Sequence, residues 1–259
     1  ENGSCLMTID GASYSILVGE SLWTANNSYY RTNPETYYSI YFINPIDGWE
    51  VTGTDGIKYR FGGTENSTQY IKNAFYTLNY RWDLSSIEDT HGNTINVAYQ
   101  QSLYCSGFDF EAHPIYSVRS AYPELITYND GDATIDFDMD FNRNDVYIDS
   151  SIPSNTSVVE NGRLNAIRMW ADNQLVREYN FTYNTTPYYP SIDYGGTYYA
   201  GEFVLLSVTE NGSDGTSTLP STNFSYTDLP ITCKDSSEIA YNGNPGNLAT
   251  LTHPYLTGI

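Results

Sequence analysis

The chain has 259 residues, with 11 Lys and Arg set against 31 Asp and Glu, for a formal net charge of −20. That length suffices to bury a core of its own, and that charge repels nucleic acid and anionic lipid, so polyanion binding is excluded. Charged residues are only 16% of the chain and polarity is supplied by 26 Tyr with many Asn, Ser and Thr, a composition of pleated surfaces and turns that points to an all-β protein with little helix.

In chain order, the start ENGSCLMTIDG lacks both an initiator Met and a basic-then-apolar leader, and both ends read as cuts in a longer polypeptide. No apolar run approaches the roughly 18 residues of a membrane helix, so membrane insertion by this segment is not expected. Trp49 to Phe61, WEVTGTDGIKYRF, places Trp49, Val51 and Gly53 on one phase, turns at Asp55-Gly56 and resumes with Ile57, Tyr59 and Phe61, which predicts a hairpin. A turn is expected near Asn73 to Tyr76. Ile135 to Phe141, IDFDMDF, alternates strictly, predicting a strand with Ile135, Phe137, Met139 and Phe141 in the core and Asp136, Asp138 and Asp140 on a solvated face. NAIRMWADNQLVREYNFTY reads as two strands around Ala171-Asp172-Asn173. Residues 186 to 201 read as an exposed irregular insertion, and Phe203 to Thr209 with Ser221 to Thr227 as another strand pair. LATLTHPYLTGI restarts an apolar strand whose Leu248, Leu251, Tyr255, Leu256 and Ile259 are expected to pack against other polypeptide. No Pro-, Gly- or Ser-rich linker divides the chain. A weak echo recurs, with Leu84 and Ile87 followed by Tyr99, Leu164 and Ile167 by Tyr179 and Tyr183, and Leu206 and Val208 by Tyr226, as in a sheet that grows laterally by strand pairs.

Few residues suggest chemistry. Cys5, Cys105 and Cys233 lack zinc-site spacing and read as small interior or half-interior thiols. His91, His113 and His253 are scattered without a ligand partner at the usual spacing. No nucleophile elbow, phosphate loop, dinucleotide fingerprint or zinc-protease motif occurs, so no catalytic, cofactor or metal residue is assigned and no enzyme is expected. Asp136, Asp138 and Asp140, followed by Asp145 and Asp149, form the densest acidic group, but a straight strand aims its carboxylates in parallel whereas calcium wants a curving loop. The pairs Tyr29-Tyr30, Tyr37-Tyr38, Tyr188-Tyr189 and Tyr198-Tyr199 should each turn one ring inward. Eight sequons stand at Asn2, Asn26, Asn66, Asn155, Asn180, Asn184, Asn211 and Asn223, a mild excess over chance.

Trp82 to Tyr99, WDLSSIEDTHGNTINVAY, has the form W-x-L-x-x-I-x-D-x-x-G-N-x-I-x-x-x-Y and resembles the signature of Rhs (YD-repeat) and related toxin proteins. Its motif residues are Trp82, Leu84, Ile87, Asp89, Gly92, Asn93, Ile95 and Tyr99; with Val97 the apolar members should form one packed cluster. The turn at Gly92 and Asn93 suits positive φ, with Asp89 accepting backbone N–H bonds. Around it, IDG (Ile9 to Gly11), YRTNPETYYSI (Tyr30 to Ile40), GWEVTGTDGIKYRFG (Gly48 to Gly62), YPELITY (Tyr122 to Tyr128), IDFDMDFNRND (Ile135 to Asp145), RLNAIRMW (Arg163 to Trp170), REYNFTY (Arg177 to Tyr183) and LLSVTENGSDGTSTLPSTNFSY (Leu205 to Tyr226) resemble, in order, segments of the SpvB-like domain shared by virulence-plasmid protein B and the B component of insecticidal toxin complexes. The resemblance implies an extended antiparallel sheet of the shell type. Residues 1–228 would be the SpvB-like, Rhs-type region and 229–259 a connecting segment leading into further repeats. The implied role is a structural, non-enzymatic wall segment of an exported protein enclosing a C-terminal toxin or cargo, located extracellularly or at the cell surface, with the rest of its polypeptide or neighbouring subunits as partners. The alternative is a cell-surface adhesin binding glycans or proteins.

Overall fold

The alternating runs become strands. The computed structural model describes residues 5–9, 11–18, 27–43, 47–64, 66–141, 143, 161–184, 192–194, 197–199, 203–231 and 251–258. Among these the helical content is one short 3-10 turn, Asn129–Gly131, and the rest is almost entirely β. The chain divides into two compact units, Glu1–Arg143 with Ile148–Val176, and Asn144–Tyr147 with Arg177–Ile259.

In the first unit the strands are β1 (Cys5–Ile9), β2 (Ala12–Val18), β3 (Asn27–Asn33), β4 (Ser39–Ile43), β5 (Gly48–Thr52), β6 (Lys58–Gly62), β7 (Thr68–Lys72), β8 (Thr77–Trp82), β9 (Leu84–Glu88), β10 (Thr94–Phe108), β11 (Pro114–Tyr128), β12 (Ala133–Asp140) and β13 (Arg163–Ala171). They form an antiparallel sheet in the order β1-β2-β3-β4-β5-β6-β9-β10-β11-β12-β13, from which β7 and β8 depart as a hairpin of their own. The expected D-G hairpin is β5–β6, with Trp49 opposite Phe61 and Val51 opposite Tyr59. Its turn closes through Gly53 N–H to the Ile57 carbonyl at 2.8 Å, with Gly56 at φ +84°.

Alternation sorts the faces of β1 to β6 and β9. Ile40, Val51, Met7 and Ile9 are buried, with Tyr14, Ile16, Tyr30, Tyr38, Trp49, Tyr59 and Phe61 packed against them. Full burial of a side chain such as Ile40 or Val51 stabilises by about 1.5–3 kcal/mol. The intervening residues pair by charge: Arg60 meets Glu50 at 3.0 Å and Glu88 at 3.7 Å, and Lys58 meets Glu88 at 3.6 Å. Exposed pairs of this kind contribute little, about 0–1 kcal/mol each, so the apolar face carries the stability.

The IDFDMDF strand is β12, but its acids do not form a merely solvated face. Arg163 and Arg168 stand opposite Asp140 and Asp136 on β13. Arg163 reaches Asp140 at 2.6 Å, while Arg168 reaches Asp136 at 3.4 Å and Asp138 at 3.2 Å. In this acid-rich chain the carboxylate row is held by cross-strand guanidinium groups. Asp145 and Asp149 lie outside the described residues.

β10 and β11 are 15 residues each. Only Thr94–Asn96 of β10 pair with β9 and only Leu125–Tyr128 of β11 with β12. The remaining ribbon, about a dozen residues a side at roughly 3.3 Å each, runs on beyond both neighbours. Its register shifts between Ala98 and Tyr99, Ser102 and Leu103, and Cys105 and Gly107, and each shift adds local twist. Cys105, expected to be interior or half-interior, is exposed on this ribbon with its thiol directed at the Gly107 carbonyl, 3.3 Å away.

After β13 the chain turns through Asp172 and Asn173, both at positive φ (51° and 58°), as the ADN signal predicts. The second unit contains most of β14 (Gln174–Tyr183), then β15 (Ile192–Tyr194), β16 (Thr197–Tyr199), β17 (Leu205–Asn211), β18 (Thr222–Asn223), β19 (Ser225–Ile231) and β20 (Leu251–Gly258). β17 pairs with β14 and β18. The 186–201 segment carries the β15–β16 hairpin rather than being irregular throughout. β20 pairs antiparallel with β19, Thr227 standing opposite Tyr255. The apolar C-terminal strand, expected to pack against other polypeptide, is hydrogen-bonded to β19 of its own chain, and position 228 falls inside β19. Leu248 and Ile259 lie outside the described residues.

Candidate functional site

A cleft of the first unit is built where the chain leaves the sheet. At the end of β6, Gly62 and Gly63 both take positive φ (70° and 75°), a conformation that costs glycine little. The chain then forms the β7–β8 hairpin and re-enters as β9. Two backbone bonds close the loop, Gly62 N–H to the Asp83 carbonyl at 2.9 Å and Asp83 N–H to the Ser67 carbonyl at 2.8 Å. The Ser85 hydroxyl donates to the Gly62 carbonyl at 2.8 Å.

The hairpin rests on β10 and β11 through polar contacts. Ser67, Gln69, Asp83, Ser85 and Ser117 are all buried. Gln69 donates its amide to Asp83 at 2.8 Å, Arg81 its Nε to the same carboxylate at 2.7 Å, and Tyr80 its hydroxyl to the Val118 carbonyl at 3.2 Å. Lys72 N–H donates to the Ser117 hydroxyl at 2.8 Å, the Ser106 hydroxyl donates to the Lys72 carbonyl at 2.7 Å, and Gln101 donates its amide to the Thr68 carbonyl at 2.9 Å. A buried polar seam fixes one register, because any slip strands its donors.

Beside the seam lies a cleft of about 720 Å3, whose walls include Met7, Ile16, Ile40, Trp49, Val51, Phe61, Trp82, Leu84 and Tyr99, with Arg81 and Asp83 also on its lining. Trp82 comes down from β8 onto the sheet, its ring edge-on to Trp49 at 5.9 Å and to Phe42 at 6.1 Å, and Tyr30 and Phe42 each meet Trp49 at 4.9 Å. The buried indole Nε1 of Trp82 has no acceptor among the described residues. Tyr99 donates its hydroxyl to the Leu84 carbonyl at 2.8 Å, and burial, with the Asp83 carboxylate nearby, pushes its phenol up to about 12. The cleft offers apolar and aromatic surface with one ion pair; among the described residues no three His, Cys, Asp or Glu group as metal ligands.

The motif residues fall in three places. Trp82, Leu84 and Tyr99 line the cleft. Ile87 and Ile95 face each other across β9 and β10, with Tyr59 opposite Ile87 on β6, and Val97 is half-buried on β10. Asp89, Gly92 and Asn93 make the connecting turn. Asp89 accepts N–H bonds from His91 at 2.8 Å and Asn93 at 2.9 Å, and the Asn93 amide donates to its other oxygen at 2.7 Å. These bonds, the Asn93 amide foremost, hold the Asp89 carboxyl below its ordinary range. Gly92 takes φ +86°, whereas Asn93 does not adopt positive φ. The echo with Tyr226 has the same geometry as Tyr99, a hydroxyl donated to the Leu205 carbonyl at 2.7 Å. The β7–β8 excursion was missed from sequence; the Gly62-Gly63 pair at the end of a strand was its signal.

Of the sequons, Asn66 and Asn223 are exposed and Asn180 sits within β14. Asn184 accepts the Val204 N–H at 2.8 Å, and the Asn211 amide is donated to Glu178 at 3.0 Å. Asn2, Asn26 and Asn155 lie outside the described residues. Of the tyrosine pairs, Tyr37 and Tyr38 lie in the loop before β4, where Tyr37, at φ +58°, is 82% exposed and Tyr38 packs on the core. Tyr30 packs inward; the side chains of Tyr29, Tyr188, Tyr189, Tyr198 and Tyr199 lie outside the description.

No protein-family model and no curated protein sequence matches the chain. Solved structures do. TcdB2-TccC3 aligns over 89% of this chain at 13% identity and a TM-score of 0.51, and TcdB2-TccC3-TEV over 92% at 13% and 0.52. The extended antiparallel sheet is of the toxin-complex shell type. The Photorhabdus luminescens Tc holotoxin pore aligns over 88% of the chain at 14% identity and 0.51, and the N-terminal domain of effector protein SpvB from Salmonella typhimurium over 81% of the chain and 74% of that domain at 14% and 0.48. The chain spans only 12–13% of the toxin-complex chains it matches. At these identities the likeness establishes the fold.

Proposed function

We propose that the chain is a non-enzymatic wall segment of an exported toxin-complex B-like protein, whose sheet, continued by the rest of its polypeptide, encloses a C-terminal toxin or other cargo. The observation that carries this reading is the antiparallel sheet itself, which aligns over 89% of the chain with 13% of a TcdB2-TccC3 chain. Its segregated faces support it: apolar and aromatic side chains on one, charge pairs on the other. Such a sheet needs neither a nucleophile nor a metal to do its work. The test is to express the whole open reading frame containing these residues and examine it by electron microscopy and limited proteolysis. A hollow particle whose C-terminal segment resists protease until the wall is cut is expected. A reading frame ending with this chain, or a solid particle with a freely cleaved C-terminus, overturns the proposal.

A further inference from the structure

The β10–β11 ribbon and the β7–β8 hairpin end side by side, and their turns carry unusual side chains. Phe75 is 82% exposed and Phe110 81% exposed, yet their rings meet edge-on with centroids 5.5 Å apart. Tyr76 and Phe108 add further apolar surface, 58% and 64% exposed. Large rings left in water do not stabilise a fold, and clustered ones mark contact surfaces.

Both turns are braced by side-chain hydrogen bonds to their own backbone. Asn73 accepts N–H bonds from Phe75 at 2.8 Å and Tyr76 at 3.0 Å. Asp109 accepts them from Glu111 at 2.9 Å and His113 at 2.8 Å, with the His113 ring 3.2 Å from its second oxygen. The hairpins are tied together through Lys72, Ser106 and Ser117. The turn backbones that carry the rings are therefore already shaped, and a partner need not bear the entropy of fixing the loops.

The charges select the partner. Phe110 stands between Asp109 and Glu111, whose side chain is 80% exposed, on a chain of net charge −20. His113 and Lys72 are the neighbouring bases; Lys72 lies at the foot of the turn and His113 is engaged with the acids. A second copy or an anionic lipid surface would bring like charge to this tip. An ammonium or guanidinium group beside aliphatic carbon meets both features, the carboxylates and the aromatic faces. We propose that the paired hairpin tips are a docking point for a polypeptide segment in which Lys or Arg alternates with apolar side chains.

The test uses the 259-residue chain and three fluorescein-labelled twelve-residue peptides of alternating Lys and Leu, Lys and Ser, or Glu and Leu, titrated by anisotropy at 0.15 M salt. The Lys–Leu peptide should bind at least tenfold more tightly than the other two. The double variant Phe75→Ser, Phe110→Ser should lose that preference with an unchanged melting temperature, and Glu111→Gln should weaken binding more at low salt than at high. Equal binding by the double variant, equal binding of the Lys–Leu and Lys–Ser peptides, self-association that the double variant abolishes, or capture by phosphatidylcholine vesicles without peptide preference would each overturn the proposal. If the double variant melts early, Phe110→Tyr with Phe75→Tyr, which keeps the rings, must retain binding for the proposal to stand.

Discussion

Replacing Gly62 by Ala tests whether the departure of the β7–β8 hairpin holds Trp82 in place. A Cβ built on Gly62 lies 2.4 Å from Trp82 Cδ1, 3.0 Å from the Asp47 carbonyl oxygen and 3.0 Å from Thr68 Oγ1, and the residue sits at φ +70°. The conformation alone costs alanine about 1–2 kcal/mol. The indole must also move, and it cannot recede without breaking edge-on contacts to Trp49 and Phe42; overpacking of this kind costs about 1–3 kcal/mol. Together these give about 2–5 kcal/mol. Gly92→Ala is the internal control, with a similar φ of +86° and nothing within 4 Å of the added methyl, so it should cost only the conformational part, about 1–2 kcal/mol. In urea, at roughly 2–3 kcal/mol per M, Gly62→Ala should lower the midpoint by about 1–2 M and Gly92→Ala by less than half of that. Near-UV circular dichroism should change for Gly62→Ala alone. Equal midpoint shifts for the two variants would refute the steric role assigned to Trp82.

Asp83→Ala leaves the buried Gln69 amide without its acceptor and should cost about 1–3 kcal/mol, measured by urea unfolding; a neutral result would mean that water replaces the carboxylate. Tyr99 titrates at about 12 in the folded chain against about 10 unfolded, so its contribution is complete below pH 10 and is lost as pH rises from 10 to 12. Absorbance at 295 nm should show a late phenol that disappears in Tyr99→Phe. Asp214 is held at about 2 by the Ser217 hydroxyl and by the Ser217 and Thr216 N–H groups, below its ordinary value near 3.9. Its turn should persist above pH 4 and loosen as pH falls through 2, with a carboxyl NMR titration near 2 as the readout.

Much of the fold was legible because a strand's period is short and its turns carry chemical marks. Asp55-Gly56, Asp172-Asn173 and Gly92 each name a turn, and alternation in Trp49–Phe61 names the buried face. What escaped was relation between distant segments. Nothing local says that Thr68–Lys72 will lie on Ser117 rather than beside Phe61, since Ser, Gln and Asp read as surface until they meet each other. The same limit hid the ring partners of Trp82, since Phe42 and Trp49 lie more than thirty positions upstream. The arginines holding the Asp136–Asp140 row sit on the next strand but beyond a stretch of some twenty residues. The pairing of the C-terminal strand with β19 escaped for the same reason, since it spans residues 232–250.

In the first unit each strand lies beside the one made just before it, with one hairpin set aside. Such a sheet can be laid down in the order of synthesis, every new hairpin finding its template already outside the ribosome. Closure is mostly over short distances in the chain, which favours speed over the slow search that long-range pairing demands. The hazard travels with the growing edge: at each moment the most recent strand is the one whose amides are bare, and a pause in translation exposes whichever strand was last to emerge. Codon usage or a chaperone acting between Thr94 and Tyr128, where the longest ribbon must wait for its return strand, would therefore govern yield more than any change within a finished hairpin.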